Sequence, residues 1–203
     1  LNPDRIIIGY IYEKDFEIVK KAYKGIDSQI LGVPLSTAEM IKYANNAFLA
    51  TKISFINEIG NICKKLNIDV YDVAKGLGLD HRISPYFLNA GIGFGGSCFP
   101  KDIRALISLA DKLGYSPLIL KSVLEVNDNQ PYQLINIALK KIGTLRGRNV
   151  TILGLSFKPG TDDIREAPSI KVIKKLLELG AKITVYDPAA MSNMQKIFRD
   201  QVY

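Results

Sequence analysis

The stretch 37-TAEMIKYANNAFLATKISFINEIGNICKKL-66 is predicted to form one long helix, and the rest of the chain can be interpreted outward from it. Apolar residues recur along one side of this stretch at helical intervals, at Ile41, Ala44, Phe48, Phe55, Ile59, Ile62 and Leu66. A second apolar side is formed by Leu49, Ile53 and Ile56. Thr37 stands where a helix N-cap is expected.

A helix of about 30 residues is roughly 45 Å long, which is more than a small domain usually needs. Because this helix is apolar on two sides, it has to be covered on two sides. We expect its own domain to cover one side and a second copy of the chain to cover the other. The sequence therefore predicts a homodimer built on this helix.

Upstream of the long helix, Ile6–Ile8 followed by Gly9 predicts a short buried strand, and apolar spacing predicts a helix over residues 16–26. One strand and one helix cannot bury a core by themselves. Residues 1–36 are therefore expected to be the strand–helix remnant of an N-terminal α/β domain.

Downstream of the long helix, three more helices are predicted, over residues 69–76, 101–113 and 117–141. Glycines at positions 76, 78 and 114 separate them. The region 37–143 is thus expected to be a mainly α domain.

At Gly147 the pattern changes to that of an α/β domain. Strands are predicted over residues 149–153 and 182–186, and a helix over 167–179, with proline in its first turn and glycine after its end. Strand, crossover helix and strand make a βαβ unit with parallel strands. Residues 144–203 are expected to be the start of an incomplete Rossmann-like domain.

Composition narrows the class of protein. The chain of 203 residues carries a formal charge of +7, which favours anionic partners, but its cations are scattered with no run longer than two. No apolar stretch long enough to cross a membrane is present, and the opening residues lack the order of a signal peptide. The two cysteines make no C-x-x-C pair, so a reducing, cytoplasmic setting is expected, and a single histidine argues against a metal site.

The stretch 90-AGIGFGGSCFPKDIRAL-106 contains a G-x-G-x-x-G pattern through Gly91, Gly93 and Gly96. A dinucleotide-binding fingerprint lies between a strand and the helix that it opens. Here the preceding residues 85–90 make a poor strand, and a cysteine and a proline come before the helix. We therefore interpret the glycines as a loop whose backbone N–H groups approach an anionic ligand closely.

Cys98 follows these glycines and precedes the helix predicted from Lys101. Thiols near a helix N-terminus and a lysine ionise more readily, so we expect a nucleophilic thiolate here. Asp102 lies four residues beyond the sulfur and could act as a base or hold a water. Cys63, within the long helix, is interpreted as a small buried residue.

Lys42 and Asn46 lie four residues apart on the long helix and therefore project from the same face. Either residue alone could be a solvated surface side chain. Together, a cation and an amide on one helix are the components of a site that stabilises an oxyanion.

Three motifs in sequence order resemble the UDP-glucose 6-dehydrogenases, within the wider UDP-glucose/GDP-mannose dehydrogenase family. They are 39-EMIKYANNAFLATKISFINEI-59, 93-GFGGSCFPKD-102 and 154-GLSFKPGTDDIREAPS-169. The resemblance implies three domains: an N-terminal NAD-binding Rossmann domain, a central dimerisation domain and a C-terminal nucleotide-sugar-binding domain. It assigns residues 1–36 to the end of the first, 37–143 to the second and 144–203 to the start of the third, a fragment that we expect to be inactive alone.

The resemblance also implies a reaction and the residues that perform it. UDP-glucose is oxidised to UDP-glucuronate with two NAD, through a thiohemiacetal and then a thioester on Cys98. Lys42 and Asn46 match the residues that stabilise oxyanions and hold a water. Asp102 matches the residue that assists the cysteine and the hydrolysis.

Binding residues are implied in the same way. The loop that lies along the nucleotide sugar matches Phe87, Leu88, Asn89, Ala90, Gly91 and Gly95. Lys158 matches a substrate lysine, and Arg82 resembles an arginine that enters the site of the partner subunit. Lys101 and Arg165 match residues that reach NAD.

Three other functions stay open at this point. The substrate could be GDP-mannose or another nucleotide sugar, since related enzymes share a similar cysteine loop. The chain could also be a non-catalytic dimerisation module. The third possibility is a nucleic-acid-binding protein, but no motif supports it. We expect neither nucleic acid nor a membrane as a partner.

Overall fold

The computed structural model describes residues 2–202, and these form two compact units, one ending at Asn46 and the other beginning at Ala47. The four strands are β1 (Arg5–Tyr10), β2 (Gln29–Pro34), β3 (Asn149–Leu153) and β4 (Lys182–Tyr186). The seven helices described are α1 (Glu13–Ala22), α2 (Leu35–Leu66), α3 (Val70–Gly78), α4 (Phe99–Lys112), α5 (Leu118–Ile142), α6 (Pro168–Glu178) and α7 (Met191–Phe198). A short 3₁₀ helix, Arg199–Gln201, follows α7.

The first unit is a small βαβ layer in which β1 and β2 pair in parallel through α1. Strand β2 was not predicted, because Gly32 and Pro34 interrupt its apolar run. Packing requires a glycine at position 32, because a Cβ there would lie 2.6 Å from Cε2 of Phe16 on α1. Of the described residues before Ala47, only Ile8 is buried, so this unit has almost no core of its own.

Helix α1 begins and ends earlier than the predicted range 16–26. It starts at Glu13, directly after the extended residue Tyr12, and it ends at Ala22. Residues 23–26 form a turn in which Ile26 N donates to Tyr23 O at 3.1 Å. The predicted helix was too long because Tyr23 and Ile26, in this turn, continue the spacing of the apolar residues in the helix.

Helix α2 contains the predicted stretch but begins at Leu35, so Thr37 lies inside the helix and is not its N-cap. The strand β2 ends at Pro34 and leads directly into the helix, which therefore starts two residues before the expected cap. Further along α2, Asn45 Oδ1 accepts a hydrogen bond of 2.8 Å from the side chain of Arg5 on β1.

Of the two apolar sides predicted for α2, the second contains Ile56, which is fully buried, whereas the first is largely exposed. The buried residues of α2 are mostly small or polar, namely Ala47, Ala50, Ser54, Ile56, Asn57, Gly60 and Cys63. Four large members of the first predicted stripe are at least half exposed or nearly so: Phe48 66%, Phe55 50%, Ile62 49% and Leu66 63%. Small residues face the core because they let the neighbouring helices and the glycine loop approach α2 closely.

The second unit has two hydrophobic cores. The first joins α2, α4 and α5 through Ala50, Ile103 and Val123 and also contains Phe94 from the glycine loop. The second lies between the β3–β4 sheet and helices α5, α6 and α7. Helix α5 contributes to both cores, with Val123 in the first and Ile135 in the second.

Strands β3 and β4 match the predicted ranges and pair in parallel, with α6 as the crossover. Helix α7 was not predicted, although Met194 and Phe198 from it are buried in the second core. Its amphipathic pattern covers only two turns, which is too short for periodicity to indicate a helix clearly. Among residues 2–202, no helix combines the length and the apolar character that a membrane span requires.

Asp187, directly after β4, joins the two loops at the carboxyl ends of the strands. Its Oδ2 accepts from Leu155 N at 2.7 Å and from Ser156 N at 3.2 Å, and its Oδ1 accepts from the N–H groups of Ala189 and Ala190 at 2.8 Å each. Burial by itself raises the pKa of this carboxyl, but the four backbone N–H groups together lower it well below its ordinary value.

We expect Asp187→Asn to lower the free energy of unfolding by about 1–3 kcal/mol at pH 7, because an NH₂ group replaces an oxygen that accepts backbone hydrogen bonds. The pKa of Asp187 in the folded state is below its unfolded value of about 3.9. The contribution of this carboxylate to the free energy of unfolding is therefore complete above about pH 3.9, and it is lost as the pH falls from there toward the folded-state pKa. Urea unfolding at pH 7 and pH 3 should show the difference between wild type and variant shrinking in acid. The exposed Asp200→Asn is the control, and an equal difference at both pH values would contradict the assignment.

Candidate active site around Cys98

A cavity of about 660 Å³ opens beside Cys98, within the size range of small-molecule sites. The glycine loop and the start of α4 form most of its wall, and Phe157 and Lys158 from the loop after β3 close it. It is lined by Ile53, Tyr86, Phe87, Asn89, Gly93, Phe94, Gly95, Gly96, Ser97, Cys98, Phe99, Phe157 and Lys158. Five of the predicted site residues therefore share one cavity: Phe87, Asn89, Gly95, Cys98 and Lys158.

Cys98 is exposed and occupies the N-cap position of α4, which begins at Phe99. Its Sγ lies 3.8 Å from Ser97 Oγ. The unpaired N–H groups of a helix's first turn make this end favourable for negative charge. Cys63 is free and buried on α2, as the sequence predicted.

Asp102 lies one turn further along α4, and its backbone N–H donates to Cys98 O at 2.9 Å. Its side chain is 1% exposed, and Lys101 Nζ lies 3.1 Å from its Oδ1. Lys101 itself is 67% exposed. The start of α4 thus contains the sulfur, a buried carboxylate and an exposed ammonium within five residues.

Gly95 and Gly96 are required by packing inside the protein. A Cβ on Gly95 would overlap the carbonyl oxygen of Glu166, and one on Gly96 would lie 2.7 Å from the ring of Phe157. Gly96 N also donates to Arg165 O at 2.8 Å. The sequence explained these glycines by close approach of a ligand, whereas the structure shows that they first allow residues 157–167 to approach the loop.

The side chains flanking this contact are paired across it. Arg104 on α4 forms two hydrogen bonds with Glu166, at 3.1 and 3.2 Å. Lys171 on α6 and Asp128 on α5 form a second ion pair, at 2.5 Å. Both pairs are partly exposed, so they add orientation more than stability.

Arg165 is held by Asp163, whose carboxylate accepts from Arg165 Nε at 2.9 Å and from Nη2 at 2.6 Å. The guanidinium lowers the pKa of Asp163 to about 2. Asp163 in turn raises the pKa of Arg165, and the negative charge that Cys98 can carry acts in the same direction. Arg165 itself does not line the cavity.

Arg82 is held in the same manner by Asp80, which accepts from its backbone N–H, from Nε at 3.0 Å and from Nη2 at 2.6 Å. Its side chain is 78% exposed and lies outside the cavity residues of this chain. In both Asp-x-Arg turns the carboxylate fixes one edge of the guanidinium and leaves the other edge directed away from it.

The remaining predicted residues lie outside the cavity lining. Leu88 is buried in the core, whereas Gly91 is exposed and Ala90 accepts a 3.5 Å hydrogen bond from Tyr71 OH. Lys42 and Asn46 lie one turn apart on α2, before Ala47, and Lys42 Nζ is 4.8 Å from the ring centre of Tyr43. Their proposed contact with a substrate remains a prediction.

Sequence reasoning missed two sets of residues at this site. Phe157 stands beside the predicted substrate lysine, and this adjacency was a usable signal. Asn57, Asn127 and Gln130 are buried amides on α2 and α5, and their hydrogen bonds go to the glycine loop. In residues 2–202 the structure brings together no cluster of His, Cys, Asp and Glu that could hold a metal ion.

The chain is similar to known proteins over its whole length. The central-domain model of the UDP-glucose/GDP-mannose dehydrogenase family matches residues 36–129, and the UDP binding domain model of the same family matches residues 151–203. The UDP-glucose 6-dehydrogenase YwqF of Bacillus subtilis is 49% identical over 201 residues, which are 99% of this chain and 46% of that protein. The UDP-glucose 6-dehydrogenase AglM of Haloferax volcanii is 44% identical over 208 residues, covering 100% of this chain and 48% of that protein.

Among solved structures, a UDP-glucose dehydrogenase from Pyrobaculum islandicum superposes with a TM-score of 0.96 at 45% identity. The match covers 99% of this chain and 46% of that one. The chain spans about half the length of the relatives it matches. Two models of one family, in the expected order, and whole-chain likeness to its members lead to one conclusion: this chain belongs to the UDP-glucose/GDP-mannose dehydrogenase family.

Proposed function

We propose that this chain supplies the nucleophile and part of the nucleotide-sugar site of a UDP-glucose 6-dehydrogenase, which converts UDP-glucose to UDP-glucuronate with two NAD. The observation that carries the proposal is an exposed cysteine at the start of α4, inside a cavity that Lys158 also lines. The names of the most similar relatives support UDP-glucose over GDP-mannose as the substrate.

In the proposed reaction Cys98 holds the substrate between two oxidations. Its thiolate adds to the carbonyl carbon of the aldehyde at C6 and forms a thiohemiacetal. Oxidation of that adduct gives a thioester, which water hydrolyses by adding to the acyl carbon and breaking the C–S bond. The products are a carboxylate and the regenerated thiolate.

Lys42, Asn46 and Asp102 complete the proposed chemistry. The ammonium of Lys42 offsets the negative charge that develops on the substrate oxygen, and the amide of Asn46 holds the oxyanion or a water. The buried carboxylate of Asp102, one turn from Cys98, assists the cysteine and the hydrolysis. Its burial within one helical turn of Cys98 supports this assignment.

The cations near the cavity fit NAD, the hydride acceptor that the reaction needs. Lys101 and Arg165 are 67% and 69% exposed, and a dinucleotide carries two negatively charged phosphates. When bound, NAD accepts the hydride of each oxidation. In this proposal Lys101 and Arg165 bind its anionic groups, while the Asp163 carboxylate keeps Arg165 in one orientation.

The nucleotide sugar is proposed to lie along the loop of residues 87–95. Its implied contacts are with Phe87, Leu88, Asn89, Ala90, Gly91 and Gly95. Lys158 lines the cavity, and its positive charge suits a sugar diphosphate. Arg82, exposed and oriented by Asp80, is proposed to enter the site of a partner subunit.

A homodimer fits the exposed face of α2. Phe48, Phe55 and Ile62 follow one another at seven-residue spacing, and Leu118 and Ile119 on α5 are 72% and 69% exposed. Phe55, Leu118 and Ile119 also border one shallow groove. An apolar surface of this kind is typical of a protein interface. The exposed thiol of Cys98 suits a reducing compartment, and we propose a cytoplasmic location.

The first prediction concerns the thiol. Iodoacetamide should modify Cys98 at least about tenfold faster than Cys63 at pH 7, because Cys98 is exposed at a helix N-terminus and Cys63 is buried. Peptide mass spectrometry gives the two rates, with Cys98→Ser as the control. Because exposure alone could produce a difference, the rate should also be compared with that of free cysteine, and a Cys98 that reacts more slowly than free cysteine would contradict its activation.

A second prediction concerns assembly. Phe55→Glu should shift the chain from dimer to monomer in analytical ultracentrifugation, because a charge at the centre of the apolar face would be buried without a partner. Leu113→Glu, at a leucine that is 75% exposed at the end of α4, is the matched control and should leave the dimer intact. A wild-type chain that stays monomeric at high concentration would contradict the proposed interface.

The third prediction tests the reaction. In a longer protein that includes an NAD-binding domain, Cys98→Ser should abolish UDP-glucuronate formation, because a serine hydroxyl is a weak nucleophile and has no sulfur with which to form the thioester. UDP-glucose binding should be retained, since the substitution is nearly isosteric. Product can be followed by chromatography and binding by calorimetry.

The 203-residue chain alone should give no NADH with UDP-glucose. Its G-x-G-x-x-G pattern lies in the loop of residues 91–96 and not between a strand and a helix, where a dinucleotide pyrophosphate is bound. NADH production by this chain would contradict the proposed division of functions. Retained uronate formation by the serine variant would exclude Cys98 as the nucleophile.

A further inference from the structure

The glycine loop obtains its shape from side-chain amides on two helices. Residues 88–98 form neither helix nor strand, so their backbone N–H and C=O groups need other partners. At Phe94, Asn127 on α5 satisfies both groups: its Oδ1 accepts from Phe94 N at 2.7 Å, and its Nδ2 donates to Phe94 O at 3.1 Å. One side chain thus binds Phe94 as a neighbouring strand would.

A second pair of amides binds Gly91 in the same manner. Asn57 Oδ1 on α2 accepts from Gly91 N at 2.7 Å, and Gln130 Nε2 on α5 donates to Gly91 O at 2.8 Å. Asn61 Nδ2 donates to Gln130 Oε1 at 2.8 Å, which fixes the orientation of the glutamine amide. Both peptide groups of Gly91 are therefore bound by helices that lie 34 and 39 positions away in the chain.

These amides are almost fully buried. Asn57 is 0% exposed, Gln130 3% and Asn127 6%. Burying an amide costs free energy unless its hydrogen bonds are made, and an apolar side chain of similar size would pack on these helical faces without that cost. Their use here indicates a task in shaping the loop rather than in filling the core.

The loop also fits the amides closely. Gly93 has φ +107°, a conformation that favours glycine, and a Cβ there would lie 2.9 Å from Asn127 Oδ1. The peptide between Gly93 and Phe94 can thus approach the asparagine only because position 93 has no side chain. The hydrogen bonds at Gly91 and Phe94 leave little freedom to the residues between them.

We propose that Asn57, Asn127 and Gln130 are positioning residues that hold residues 91–94 in the ligand-binding conformation before the ligand arrives. The inference rests on the proposed function, in which the backbone of this loop contacts a nucleotide sugar. A loop ordered in advance does not have to be ordered on binding, so more of the interaction free energy appears as affinity.

The test removes the amides with little change in volume. In the 203-residue chain, Asn127→Leu and Gln130→Met should raise amide hydrogen exchange in the peptide of residues 90–98 at least about tenfold, because the native partners of the loop are lost. UDP-glucose affinity, measured by calorimetry, should fall by about tenfold or more. Asn129→Leu and Gln133→Met, on the same helix but without hydrogen bonds to residues 88–98, are the matched controls and should behave as wild type in both measurements.

Gln130→Glu is a second variant, which tests the same hydrogen bond with a side chain of nearly the same shape. It is nearly isosteric and retains an acceptor for Asn61, but it has no donor for Gly91 O. It should raise hydrogen exchange in the loop more than in α6, even where the carboxylate buried beside Gly91 O lowers the thermal midpoint. Loop exchange at the wild-type level in this variant, or a rise no larger than that in α6, would overturn the proposal.

The two readouts separate this inference from the proposed function. If wild type binds UDP-glucose and all variants bind it within about twofold, the amides do not position the loop for binding, and the proposed function stands. If the variants loosen the loop but wild type does not bind UDP-glucose, the proposed substrate is wrong, and the amides still determine the conformation of the loop.

Discussion

The close packing of Gly95 and Gly96 against residues 157–167 is the contact on which the candidate site depends. Without side chains at these two positions, the glycine loop reaches the carbonyl of Glu166 and the ring of Phe157. Gly96 N then donates to Arg165 O. As a result, the loop that ends at Cys98 and the loop that carries Lys158 form two walls of one cavity. A side chain at either glycine would force these walls apart, whatever the ligand.

Helix α5 holds the two walls of this cavity in fixed positions relative to each other. Its first half packs through Val123 against α2 and α4, and its second half packs through Ile135 against α6 and the β3–β4 sheet. Asn127 and Gln130 lie between these two packing regions and bind the glycine loop. Because interiors are close-packed, a helix shared by two cores transmits its position to both of them. The cavity is thus supported by residues that do not touch it.

Most helices and three of the four strands described could be predicted from the sequence, because local periodicity and glycine or proline at their ends identify them. Strand β2 could not, since Gly32 serves a contact with Phe16 and weakens the local strand pattern. On α2 the sequence placed Ile56 on an apolar side, and it is buried, but the small residues of the buried face were missed, because periodicity locates large apolar residues without showing what covers them. Phe48, Phe55 and Ile62 remain exposed in this chain, whereas Ala47 and Ala50 lie in its core.

The sequence by itself determined the family, the cysteine at the start of α4 and the βαβ order of the last sixty or so residues, since each is written in contiguous residues. Only the tertiary structure decided which glycines face protein, which arginines are held by a carboxylate and which amides shape the loop. Asn57 and Gln130 meet Gly91 across 34 and 39 positions, and Arg104 meets Glu166 across 62. Contacts of that range leave no periodic trace in one sequence, because they depend on how separate helices pack and not on the pattern within any one of them.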